Sequence, residues 1–122
     1  MGVLLGAFGS HALRSRLTPE RVATFETGVR YQLWHALALF ALVLVGRLEV
    51  VTFTGTFRTA YYGSISGPAV AAGWLFVAGI VLFSGSVYAL SLTGKPAWGA
   101  ATPFGGACLV LGWAALLVAA LT

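Results

Sequence analysis

Charge is what this chain has least of. Asp, Glu, Lys and Arg make up 8 % of its 122 residues, against about 25 % in a water-soluble domain. So few charged groups cannot cover a solvated surface, which excludes the dinucleotide-binding, barrel-enzyme and zinc-finger classes. Acid is scarcer still: Glu20, Glu26 and Glu49 are scattered and form no dyad, so no general acid–base pair is visible. The single Cys108 cannot close an intrachain disulfide and says nothing of the redox compartment. There is no CxxC, HxxxH, GxSxG or Walker loop, and the basic residues are too dispersed for a nucleic-acid stripe. The sequence therefore predicts no enzyme, no metal, no cofactor and no nucleic-acid partner.

What the chain does have is apolar length. Hydrophobic residues make up 59 %, glycine contributes 16 positions, and the mean hydropathy is +0.93. Three or four spans of about 20 residues use most of it. The prediction is a single all-α polytopic membrane domain: a four-helix transmembrane bundle with a short interfacial helix and a truncated first span, with the lipid bilayer as its partner.

Residues 2–13 are apolar, but at about 1.5 Å per residue they cover about 20 Å of a hydrocarbon core roughly 30 Å thick. The expectation is a start lying upstream, or compensation by tilt and thinning of the bilayer. A signal peptide fits poorly, because no basic residue precedes the run and no small-x-small cleavage site follows it. Residues 18–29 read as the interfacial helix, with Thr18 as N-cap, Pro19 and Glu20 in the first turn, Val22, Phe25 and Val29 on one face, and Gly28 as the bend into the next span. Further spans are expected at 31–46, 69–92 and 103–121, the first lengthened by snorkelling of Arg30 and Arg47, the last opened by Thr102 as N-cap and Pro103. Thr93 to Pro96 reads as a tight turn. Residues 47–68, β-branched and aromatic around Gly55, read as a loop, since an isolated two-strand ribbon is marginal.

Four spans put segments 14–30 and 93–102 on one side, with Arg14, Arg16, Arg21, Arg30 and Lys95, and Arg47 and Arg58 on the other. The positive-inside rule then places the first side in the cytoplasm and both termini outside.

Lipid is as apolar as leucine, so membrane helices are held by close approach at small residues and by polar contacts. Gly2 and Gly6, then Gly73, Gly79, Gly85, Gly105 and Gly112, lie at small-residue spacings and are the expected packing positions, within the bundle or against a second copy or a larger complex. Cys108 joins them as a small residue. Polar groups near the spans gather toward the cytoplasmic half: His11, Glu26, Arg30, Gln32, His35, Tyr88 and Thr102, with Glu26 and Arg30 an i,i+4 pair. They mark a candidate polar pocket. Its histidines have three readings: metal or haem ligands; with few acidic helpers and no second ligand motif, imidazoles that bond a backbone carbonyl or a side chain of a neighbouring helix and fix helix register; or groups that bind a ligand or handle a proton. His35 is expected to face the interior and to bond His11 or its carbonyl, Tyr88 or Thr102. Ser84, Ser86 and Ser91 are expected to return their hydroxyls to carbonyls one turn back.

Four segments in order carry a resemblance: Leu5-Gly-Ala-Phe-Gly-Ser-His-Ala-Leu13; Phe25 to Phe40, with Tyr31-Gln32 and His35-Ala36-Leu37; Ala72-Gly-Trp-Leu-Phe-Val-Ala-Gly79 through Phe83-Ser-Gly-Ser86 to Tyr88; and Thr102-Pro-Phe-Gly-Gly106 with Gly112-Trp113. The chain resembles the small multi-pass membrane proteins of the YgdD/YwdK type, a family of unknown function found in bacterial inner membranes. Only about 47–68 falls outside the resemblance. Members usually carry about a dozen more apolar residues before the first motif, so this chain resembles one short at its N-terminus. The resemblance implies a four-helix inner-membrane protein and assigns no catalytic residue. The functional expectation is a non-enzymatic accessory or scaffold subunit packing through glycine-rich faces. The alternative is a binder or carrier of a small amphiphile, lipid or proton around His35.

Overall fold

Residues 67–93 carry no charge, and the chain coils them into one rod. The computed structural model, which describes residues 1–47, 50–54, 57–61 and 66–121, builds it from α3 (Gly67–Gly79) and α4 (Gly85–Thr93), joined through a wide π turn at Ile80–Ser84. Pro68 sits in its first turn, where a missing N–H costs nothing. The rod stops at Gly94, whose φ of +69° is the left-handed conformation that glycine takes without strain. Its N–H returns to the Leu90 carbonyl at 2.8 Å. After a 3-10 turn at Pro96–Ala100, α5 (Thr102–Leu121) runs back along the rod. Gly67–Thr93 and Pro96–Leu121 are long and apolar enough to cross a membrane.

The N-terminal half differs from the sequence expectation. Residues 18–29 and 31–46 are not an interfacial helix bent into a separate span. They form one continuous helix, α2 (Pro19–Arg47), of 29 residues, about 43 Å long at 1.5 Å per residue. The charges at Glu26 and Arg30 do not end a helix that has an outer face to carry them, and Arg30 is exposed. Gly28 is not a bend but a contact: a Cβ there would lie 2.7 Å from the Tyr88 ring. At the helix start, Thr18 accepts the Val22 N–H at 3.0 Å. The backbone N–H of Glu20 and the Thr18 hydroxyl hold the Glu20 carboxyl below the usual carboxylate range.

Before α2, α1 (Gly2–Phe8) continues through a second π turn, Gly9–Leu13, and packs antiparallel on it. Cβ atoms added to Gly2, Gly6 and Gly9 would lie 2.7 Å from Leu33, 3.4 Å from Val29 and 2.9 Å from Phe25.

The described part of the expected loop at 47–68 differs from it as well. Val50–Thr54 (β1) pairs antiparallel with Phe57–Tyr61 (β2), from Val50 opposite Tyr61 to Thr54 opposite Phe57. Val50, Val51, Thr52 and Phe53 favour extended backbone strongly enough to pair even in a two-stranded ribbon. The rest of the expected loop at 48, 49, 55, 56 and 62–65, Glu49 included, lies outside the described residues.

Among the described residues, two small cores result. One, where α2, α3 and α5 meet, gathers Ala38, Ala72, Phe76 and Leu109. The other joins Leu13, Phe25 and Val29, with Tyr88 against them. Outside, Trp34, Leu37, Phe40, Trp74, Val81, Phe104, Val110 and Leu117 are each 61–72 % exposed. Water would not tolerate that much contiguous apolar surface, whereas lipid solvates it.

Candidate functional site

The α3–α5 seam shows what the glycines do. The helices run antiparallel, and at two levels a large side chain sits against a glycine: Phe76 meets Gly112 and Leu109 meets Gly79. A Cβ on Gly112 would lie 2.7 Å from the Phe76 ring, and one on Gly79 would strike Leu109. At Gly105 the neighbours are backbone, the Phe83 amide and its Cα, so there the two main chains touch. Dispersion over such close contact holds helices together when apolar burial gives no net drive. Gly73 and Gly85, expected to pack likewise, face open space, with nothing within 4 Å of an added Cβ. Their spacing along the chain matches the others, but their side of the rod is not turned to α2 or α5.

One level beyond Phe83 and Gly105, the seam becomes polar. Ser86 and Thr102 bond hydroxyl to hydroxyl at 2.8 Å, and Ser86 also donates to the Phe83 carbonyl at 2.9 Å. Thr102, expected as the N-cap of α5, is its first residue and turns its hydroxyl across to the neighbouring helix.

His35 lies deeper, four turns into α2 and 6 % exposed. Its ring contacts Phe76 (centroids 5.5 Å), Trp113 (6.1 Å) and Tyr31 (6.1 Å). The Trp113 indole N–H, which can only donate, points at His35 Nε2 at 3.1 Å. Nε2 must therefore carry a lone pair, the proton sits on Nδ1, and Nδ1–H donates to the Tyr31 carbonyl at 2.8 Å. The geometry assigns a neutral imidazole with both nitrogens engaged. His35 faces the interior and bonds another helix as expected, but its partner is Trp113, not His11, Tyr88 or Thr102. The expectation was built on a span beginning at Tyr31; with α2 starting at Pro19, His35 is a mid-helix residue opposite the middle of α5.

The other expected pocket residues separate into distinct contacts. Tyr88 donates to Gln32 Oε1 at 2.7 Å. Glu26 pairs not with Arg30 but with Arg14, at 3.5 Å, a half-exposed pair of small energetic weight. Arg30 and His11 are exposed. Among the described residues, Gln32, His35, Tyr88, Thr102 and Glu26 thus engage in separate pairs, and no three metal-ligating side chains converge.

Sequence reasoning missed the lock at the basic end. Arg21 Nε donates to the Ser91 carbonyl and Ser91 Oγ donates to the Arg21 carbonyl, both at 2.6 Å. Ser91 is in the last turn of α4, where carbonyls lack helical partners and the dipole favours a cation. Ser91 was expected to bond its own helix. Only the folded register, which joins positions 70 residues apart, brings Arg21 to it.

Comparisons with known proteins place the chain among membrane proteins. The family model described as "Protein of unknown function (DUF423)" matches residues 5–106. The UPF0382 membrane protein YwdK of Bacillus subtilis is 41 % identical over 120 residues, covering 98 % of this chain and 86 % of that protein. A UPF0382 membrane protein of Staphylococcus epidermidis is 36 % identical over 121 residues, covering 99 % and 86 %. The UPF0382 inner membrane protein YgdD of Escherichia coli is 33 % identical over 119 residues, covering 98 % and 79 %. No solved structure matches. The chain is thus a membrane protein belonging to the DUF423 (UPF0382) family, whose function is unknown.

Proposed function

We propose that this chain is a non-enzymatic accessory or scaffold subunit of the bacterial inner membrane, a four-span bundle that offers one helix face to a second copy or a larger complex. The observation that carries this reading is that four polar side chains of the expected pocket, Gln32, His35, Tyr88 and Thr102, each bond within the chain. Groups engaged in this way fix the packing of helices. The carrier reading draws less support, because Phe76, Tyr31 and Trp113 close on the imidazole where a ligand would sit.

The face offered is the outside of the α3–α4 rod, where Gly73 and Gly85 leave open space beside exposed Trp74, Val77 and Val81. Cysteine crosslinking in intact membranes tests it in a Cys108→Ala background. Gly73→Cys and Gly85→Cys should give discrete protein adducts, and Val110→Cys, on a lipid face of α5, should not. If none of the three crosslinks to protein, the scaffold reading fails.

The basic turns support an orientation. The Arg21–Ser91 lock brings the turn after α1 and the turn after α4 to one end of the bundle, which collects Arg14, Arg16 and Lys95. That end faces the cytoplasm by the positive-inside rule. A reporter fused after Thr122 is expected to read extracytoplasmic; a cytoplasmic signal would invert the topology.

A further inference from the structure

We infer that the wide turn Ile80–Ser84 holds one buried water, bound by the Ser84 hydroxyl and the Gln32–Tyr88 pair.

Hydroxyls on helices ordinarily satisfy themselves by folding back onto a carbonyl one turn earlier. Thr24, Thr27 and Thr93 do so, on Glu20, Ala23 and Ala89 at 2.8, 3.0 and 2.6 Å, and Ser86 does so on Phe83. Ser84 does not. It is 2 % exposed, and its Oγ has no hydrogen-bond partner among the described residues. The carbonyl four residues back belongs to Ile80, the first residue of the π turn. A π turn is wider than an α turn and moves that carbonyl off its usual position; such turns mark places where something inserts into the helical ladder, water included.

The surroundings supply the further partners that a buried water needs. Ser84, Tyr88 and Ser91 recur at helical spacing on one side of the rod, and the latter two reach α2 through Gln32 and Arg21. Long side chains on a helix lean toward its N-terminus, which directs the Tyr88 hydroxyl, with the Gln32 amide that it meets, toward the turn carrying Ser84. Gln32 accepts from Tyr88 through Oε1 and still has two N–H donors to give. A water there receives from Gln32, donates to Ser84 Oγ, and keeps a second proton for a carbonyl of the wide turn.

A double-variant cycle read by thermal melting in detergent tests this. If the water is present, Ser84→Ala and Gln32→Leu each lower Tm by a few degrees, and the double variant loses clearly less than the sum, because both remove the same bridge. A high-resolution structure of the wild-type protein then shows an ordered water within hydrogen-bond distance of Ser84 Oγ. Two results would overturn the proposal. One is a Ser84→Ala protein as stable as the wild type or more so, as for a hydroxyl that is merely unpartnered; the other is strict additivity with Gln32→Leu.

Discussion

Gly105→Ala should be the most damaging single-methyl substitution in the chain. The new Cβ would lie 2.7 Å from Phe83 Cα and closer still to its amide nitrogen, so no side-chain rotation relieves the clash. The helices must part, which also opens the contacts of Phe76 with Gly112 and of Leu109 with Gly79. Overpacking costs about 1–3 kcal/mol when side chains can adjust; where only backbone can move, about 3 kcal/mol or more is expected. Gly79→Ala should cost less, because Leu109 meets the new methyl mainly with a flexible side chain. Gly85→Ala and Gly73→Ala, with open space, should be neutral or gain up to about 1 kcal/mol from better helix propensity. Thermal unfolding in one detergent gives the order directly. If Gly105→Ala melts with Gly85→Ala, the α3–α5 register is wrong.

That ordering also marks how far the sequence could be read. The rows of small residues were legible, because their spacing needs nothing beyond helical periodicity. Which rows face a partner was not. Gly79 and Gly85 are six residues apart on one rod, yet one meets Leu109 and the other meets nothing. The difference depends on where the neighbouring helix lies, and a single chain's periodicity carries no such information. The charge-free runs located α3, α4 and α5 for the same local reason. Charge misled at α2, where Glu26 and Arg30 were read as the edge of the membrane although a helix runs through both. Trp113 went unnoticed as a partner because it lies 78 residues from His35. Its side chain, half exposed and suited to a membrane interface, carries no sequence sign of a bond to His35.

The His35–Trp113 bond yields the second large prediction, and its test separates a structural histidine from a chemical one. Removing one partner strands the other: His35→Phe keeps a ring against Phe76 and Tyr31 but leaves the indole N–H without its acceptor. Trp113→Phe leaves Nε2 of a buried imidazole without its donor. Each stranded group should cost about 1–3 kcal/mol, and the cost rises where lipid, not water, is the alternative partner. Replacing both partners by apolar rings removes the penalty along with the bond, so His35→Phe with Trp113→Phe should be more stable than either single variant. His35→Gln, whose amide can still accept from the indole, should fall between His35→Phe and the wild type. A double variant that melts lower than both singles would mean that His35 and Trp113 act separately. A double variant that regains stability while the cell still shows the phenotype of losing the protein would move His35 from architecture to chemistry, since only a chemical role needs the imidazole itself.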